Sequence, residues 1–359
     1  MKNKTLIIAE AGVNHNGSVQ LAKELIDVAV SAGADVIKFQ TFKSKNIVTE
    51  SAQQAEYQTE NIGKKESQLT MLQRLELGYD EHFILLDYCR KKGIEFLSTA
   101  FDSESLDFLT NSLGQTTLKI PSGEITNAPF LLEHARKNLK IIMSTGMATL
   151  GEIEYALSVL AFGLTNSIGV PSNSAFLEAY SSDSGQRALA EKVVILHCTT
   201  EYPAKYREIN LKVINSLKSS FNLPVGYSDH SKGIEVSLAA VALGAVVIEK
   251  HFTLNCSMEG PDHKASLEPK YLKSMVSGIR NIERALGVSV KTPQESESLN
   301  KVAARKSLVA ARDIQKGEVF SETNLAIMRP GNGMSPSKYW SILNKNAMFS
   351  YRRGELINE

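Results

Sequence analysis

Cysteine is scarce in this sequence. Cys89, Cys198 and Cys256 stand far apart and match neither a zinc-binding spacing nor a disulfide framework. A reducing, cytoplasmic compartment is the expectation that follows. An excess of one charge is also missing. The 40 basic and 39 acidic residues leave a net charge of +1, which argues against nucleic acid or another polyanion as partner. Long apolar runs are absent too. The run at 6–9 is too short for a signal peptide, and no stretch approaches the ~20 apolar residues of a membrane span, so no membrane partner is expected. No glycine-rich dinucleotide fingerprint follows the first apolar run, which counts against an open doubly wound nucleotide-binding sheet.

What is present is an alternation. Short apolar runs occur at 6–10, 36–40, 94–99, 117–120, 140–144, 193–197, 225–228 and 246–251. Segments with helical spacing separate most of them, for example 21–32, 80–92, 103–112, 128–138, 210–221 and 234–243. Strands separated by helices pair in parallel, and eight such units predict an α/β fold of the TIM (β/α)8 barrel type over residues 1–286. Thr149 and Glu152 form a capping box at the start of another helix. The polar stretch 43–79 is longer than a usual connection, with a short helix expected near 66–75; such loops are usually functional or mobile. Residues 166–185, rich in Ser and Asn, read as part of an inserted surface loop spanning about 164–191, with some helix around 175–179. Residues 287–304 read as a linker. Residues 305–359, with a turn at Lys316-Gly317 and a Gly/Pro-rich loop at 329–336, read as a small mostly-β unit. So short a unit is expected to pack against a barrel, its own or a partner's.

In such barrels the chemistry lies at the C-terminal ends of the strands. Those ends carry Glu10, Lys38 with Gln40, Thr99, Lys119 with Ser122 and Glu124, Ser144, Thr199, Ser228 with His230, and Glu249 with His251. A lysine pointing into a barrel mouth needs an anion, because an unpaired buried ammonium is costly. Lys38 and Lys119, with the hydroxyls of Thr99, Ser122, Ser144 and Ser228, therefore suit a substrate bearing phosphate and carboxylate. The plainer alternative pairs these lysines with Glu10 or Glu249 as barrel structure. His230 and His251 leave neighbouring strands and could share one divalent metal ion; otherwise they are ordinary satisfied histidines. His197 is expected to face the helices, and His15 to hydrogen-bond its own loop. His263 could lie near the mouth, beside Asp262, a candidate for sugar hydroxyls.

These residues fall in motifs that closely resemble the bacterial sialic acid synthase family. They include EAGVNHNG at 10–17, KFQTF at 38–42, STAFD at 98–102, KIPSGE at 119–124, STGM at 144–147, HCTTEYP at 197–203, GYSDH at 226–230, EKHF at 249–252 and GPD at 260–262. The tail, with RPGNG at 329–333, resembles the family's antifreeze-like (SAF) domain. The resemblance implies condensation of phosphoenolpyruvate (PEP) with N-acetylmannosamine to give N-acetylneuraminate and phosphate. It implies a divalent metal, Mn2+ before Mg2+ or Co2+, on His230 and His251. Glu10 and Glu124 would handle protons. Lys38 and Lys119 would take the PEP carboxylate, and Thr99, Ser122, Ser144 and Ser228 the phosphate. Thr200 stands where some members use Asn on the phosphate. Gln40, Glu249 and Asp262 would contact the sugar. Arg329 would cross a domain-swapped homodimer to the acylamino group. The stretches 124–127, 199–203 and 262–268 also resemble legionaminic acid synthases, which use a 2,4-diacetamido-6-deoxy mannose analogue. Two other readings stand beside these: a synthase making a 2-keto-3-deoxy acid phosphate, and a non-catalytic carbohydrate- or ice-binding protein.

Overall fold

The computed structural model describes residues 4–165 and 168–358. Eight strands form one parallel sheet: β1 (Leu6–Gly12), β2 (Val36–Thr41), β3 (Glu95–Ala100), β4 (Thr117–Ile120), β5 (Lys140–Ser144), β6 (Val193–Cys198), β7 (Val225–Asp229) and β8 (Val247–His251). β1 pairs with both β2 and β8, so the sheet curls into a barrel. The predicted α/β barrel is the observed fold.

The two-residue period of a strand explains how this barrel is filled. Ile8, Val36, Leu97, Ile142, Leu196 and Val247 form an apolar plug in its interior. Two residues further along the same strands come Glu10, Lys38, Thr99, Ser144, Cys198 and Glu249. Two further again come Gly12, Gln40 and His251, with His230 two beyond Ser228. The alternate positions, such as Ile7, Ala9, Ile37, Phe39 and Ile141, face the helical layer and join the main core. One sequence pattern thus builds an apolar plug, a charged layer and an imidazole-bearing rim in succession.

Among the described residues, the barrel has one joint without a backbone ladder, between β3 and β4. The side chain of Gln115 fills it. Its Oε1 accepts from Ser98 N at 2.7 Å, and its Nε2 donates to Ser98 O at 3.0 Å and Thr117 O at 2.8 Å.

Several connections differ from the sequence expectation. The helix expected over 103–112 is α-helical at Ser103–Asp107 and widens to a π-turn at Phe108–Ser112. The stretch expected as a surface loop with some helix around 175–179 has that helix, as Asn173–Ser181, and a second one, Asp183–Lys192, that was not expected. Ser172 and Ser182 are their N-caps, accepting from Ala175 N and Gly185 N. Residues 166 and 167 of that stretch lie outside the described residues. The 43–79 segment is three short helices, Ser44–Ile47, Glu56–Ile62 and Gln68–Leu75, the last capped by Ser67. The Thr149–Glu152 box forms as expected, with Glu152 Oε2 accepting from Thr149 N at 2.7 Å.

The chain divides into two compact units at Gly287 and Val288. In the second, β9 (Ser307–Ala310) pairs antiparallel with β10 (Leu325–Met328) over a small core that includes Leu308, Ile314, Phe320, Tyr351 and Ile357. The end of the expected linker is not loose. Ser298–Ala304 is helical, and Val302 O accepts from Gly331 N at 2.8 Å.

Candidate active site

A cavity of about 480 Å³ opens at the C-terminal ends of the strands. Every site residue expected in the barrel lines it: Glu10, Lys38, Gln40, Thr99, Lys119, Ser122, Glu124, Ser144, Thr200, Ser228, His230, Glu249, His251 and Asp262. Arg329 belongs to the second unit, where its Nε donates to Ala304 O at 3.1 Å.

The floor is a buried charge network. Lys38 Nζ lies 2.8 Å from Glu10 Oε2 and 3.5 Å from Glu249 Oε2, and donates to Thr99 Oγ1 at 3.1 Å. Lys119 Nζ donates to Ser144 Oγ at 2.8 Å and lies 3.5 Å from Glu249 Oε1. Ser228 Oγ donates to Glu249 Oε1 at 2.9 Å. The plainer pairing of lysines with acids is therefore present, and Glu249, expected at the sugar, stands between the two ammonium groups. Its Oε2 and that of Glu10 are buried without an aligned hydrogen bond, despite their ion-pair distances to Lys38. The lysines are not neutralised beyond further use, since the two acids are unequal. Burial pushes Glu10 up to about 7 against the pull of Lys38. Burial also opposes ionisation of Glu249, but Lys119 and Lys38 outweigh it and hold that carboxyl below its ordinary range. Burial also lowers the pKa of Lys119, so the protonated form is favoured at Glu10 and disfavoured at Lys119 within the same floor.

Beside the floor lies a nest of small donors. Ser122, in the turn Ser122–Glu124 after β4, accepts through Oγ from Gly146 N at 2.9 Å. The Thr200 hydroxyl is buried without a protein partner among the described residues. A side chain at Gly146 would collide with Thr200 Oγ1, Ser122 Oγ and Cys198 Sγ, so glycine is required by close approach. Glu124 sits at the rim, only partly buried, and accepts from Asn127 Nδ2 at 2.7 Å.

The two histidines meet as expected, with ring centroids 5.7 Å apart. His230 Nδ1 donates to Thr199 O at 2.7 Å, which fixes the tautomer and leaves a lone pair on Nε2. His251 Nδ1 is buried without a hydrogen bond, 3.9 Å from Asp262 Oδ2. Burial lowers the pKa of His230 to about 4 and that of His251 well below the usual imidazole range. Both are neutral near pH 7, the form a metal ligand requires. An orphaned ring nitrogen beside a fixed lone pair fits a divalent cation. Among the described residues no third His, Cys, Asp or Glu completes a protein cage, so water and substrate oxygens would supply the other ligands. Gly12, with φ +54°, sits at the register shift that ends the β1–β2 ladder, and a Cβ there would press on the His251 ring at 3.2 Å.

Asp262, raised to about 6 by burial, closes one side of the cavity. His263 is buried behind it, with Nδ1 against Thr253 Oγ1 at 2.6 Å, and does not reach the cavity lining. His197 bonds Ile209 O at 2.6 Å on the helical side, and His15 Nδ1 accepts from Gly17 N at 3.0 Å. Both histidines are structural, as expected.

Sequence reasoning missed the roof. Tyr57, from helix Glu56–Ile62, stacks on Tyr202 with centroids 5.1 Å apart, and Tyr202 lies 4.2 Å from the His230 ring. Ile47, Val48, Met71, Leu72 and Leu75 add an apolar wall from the same segment. Tyr202 was visible as part of the 197–203 motif; Tyr57 gave no signal beyond an aromatic in a long polar connection.

A family model for the NeuB family matches residues 25–291, and one for the SAF domain matches residues 305–357. The chain belongs to the NeuB family. Its relatives within the family include an N,N'-diacetyllegionaminic acid synthase of Campylobacter jejuni, 52% identical over 99% of both chains. Another, of the same description, is from Legionella pneumophila, 44% identical over 98% of this chain and 92% of that one. Among solved structures, an N-acetylneuraminic acid synthetase of Leptospira borgpetersenii in complex with citrate superposes with a TM-score of 0.66 at 36% identity. It covers 83% of this chain and 90% of its own. In this NeuB chain the matched span runs from the first helix past β8 and so contains all of the cavity floor except Glu10.

Proposed function

We propose that the chain is a PEP-dependent nonulosonate synthase that makes N,N'-diacetyllegionaminate from 2,4-diacetamido-2,4,6-trideoxymannose. The observation that carries the condensation is the pairing, on one floor, of two buried ammonium groups and several small donors with two neutral imidazoles. PEP brings a carboxylate and a phosphate, and the sugar brings a polarisable aldehyde. The choice of sugar is supported by the two legionaminic acid synthases, which align with nearly the whole chain. N-acetylmannosamine is the second reading, supported by the Leptospira synthetase.

In this reading Lys38 and Lys119 hold the PEP carboxylate. Thr99, Ser122, Ser144 and Thr200 donate to its phosphate, with Thr200 Oγ1 free to do so, and Ser228 would join them by turning its hydroxyl from Glu249. Glu249 stays ionised between the lysines and fixes their separation. His230 and His251 would hold the divalent cation, Mn2+ in our proposal, which when bound supplies Lewis-acid polarisation of the sugar aldehyde. The PEP methylene carbon then bonds to the aldehyde carbon. Water adds to the resulting C2 cation, and the C2–O bond breaks to release phosphate. Glu10, placed by burial near neutrality, can take or return a proton on the floor, and Glu124 does so at the rim. Gln40 and Asp262 face the sugar. We place Arg329 in the same reading. Its exposed guanidinium would reach the acylamino group in the partner's barrel of a domain-swapped homodimer.

Phosphate release from PEP tests this with each sugar in turn, after EDTA and after added Mn2+. We expect turnover that chelation abolishes and Mn2+ restores, with the diacetamido sugar preferred. Turnover untouched by EDTA would remove the metal assignment, and no phosphate release with either sugar would remove the synthase reading.

A further inference from the structure

The cavity has two unlike halves. Strand tips supply ammonium, carboxylate, hydroxyl and imidazole groups. The 43–78 segment faces them mainly with Ile47, Val48, Met71, Leu72 and Leu75, together with Tyr57, Gln58 and Gln68. These side chains are not incidental surface. Met71 and Leu75 pack with Val13 and Phe42 in a buried cluster of their own, with Ile47 and Leu72 against it.

The segment is also fixed over the mouth at several points. Asn61 Nδ2 donates to Pro261 O at 2.7 Å, and Lys264 Nζ donates to Glu60 O at 3.0 Å. Tyr57 stacks on Tyr202. At the start of the segment, Ser44 N donates to Glu76 at 2.9 Å. Of the polar groups that the segment brings to the cavity, Gln58 is turned back to accept from Ala55 N at 3.0 Å, and Tyr57 and Gln68 stand in the lining with the apolar side chains.

We propose that the 43–78 segment is the specificity element of the sugar site. Its apolar wall receives a deoxy carbon, the sugar's terminal methyl, and disfavours a hydroxyl there. This rests on the synthase reading above and adds the chemical feature that the site selects. An apolar pocket gains roughly 10- to 200-fold for a methyl group it encloses and rejects an added hydroxyl by about 100-fold. The wall thus distinguishes 6-deoxy from 6-hydroxy sugars without contacting the reacting carbons.

The test compares kcat/KM for 2,4-diacetamido-2,4,6-trideoxymannose and for its 6-hydroxy counterpart, 2,4-diacetamido-2,4-dideoxymannose, at saturating PEP. The variants are wild type, Leu72→Asn, Leu72→Met and Ile47→Thr. Wild type should prefer the 6-deoxy sugar. Leu72→Asn should shrink that preference by at least about tenfold through KM for the 6-deoxy sugar, with KM for PEP unchanged. Leu72→Met should keep the wild-type ratio. Ile47→Thr gives the same readout should Leu72→Asn fail to fold. Equal losses with both sugars, an unchanged ratio, or a wild type that prefers the 6-hydroxy sugar would overturn the proposal while leaving the synthase reading intact. Wild type inactive with both sugars would remove that reading, and the role of the wall with it.

Discussion

The floor and the roof of this cavity are built by different means. The floor stands on eight strand ends, where backbone pairing sets each Cα and buried charges fix one another. Moving any one group disturbs several, because Glu249 alone meets Lys38, Lys119 and Ser228. The roof stands on three short helices held by a small buried cluster around Met71 and Leu75, a few hydrogen bonds and one aromatic stack. In our proposal the reacting groups sit on the strand ends, and the sugar is read by side chains of this separate segment.

The sharpest way to break this contrast is Lys38→Met. Removing the ammonium leaves Glu10 buried without its partner, and we expect a loss of about 3–5 kcal/mol in urea unfolding. PEP-dependent phosphate release should vanish. A stable, active variant would mean that the floor network is not coupled as its distances imply. Gly146→Ala should act next most strongly, since the methyl crowds Thr200 and Ser122. Its expected cost is about 1–3 kcal/mol, with a raised KM for PEP and little change for the sugar. Tyr57→Ala should be mildest. Loss of the stack on Tyr202 should cost about 0.5–1.5 kcal/mol and raise KM for the sugar several-fold at unchanged KM for PEP. A larger effect on PEP than on sugar would merge the two halves that the contrast separates.

The same contrast explains what the sequence disclosed. The floor was legible because a strand repeats every two residues. Val247, Glu249 and His251 can be read as plug, charge and rim before any coordinates exist. The roof was not, because Met71, Leu72 and Leu75 become a cavity wall only through a tertiary placement that local pattern does not encode. Serine misled differently. The Ser-rich stretch after residue 165 suggested a loop with helix only around 175–179, yet Ser182 caps a second helix as Ser172 caps the first, and composition alone does not separate a cap from a turn. For Glu249 the sequence offered two roles, a lysine partner in the barrel and a sugar contact, and the structure shows the ion-pair distances to Lys38 and Lys119.

Gln115 gives the barrel a clasp where the other joints are welded. Seven neighbouring strand pairs are tied by backbone, while the eighth is tied by one side-chain amide. Thr99 follows Ser98 on one side of that clasp, and Lys119 lies two residues beyond Thr117 on the other. Opening that joint would cost side-chain hydrogen bonds and no ladder bond, and it lies between the strands that carry Thr99 and Lys119.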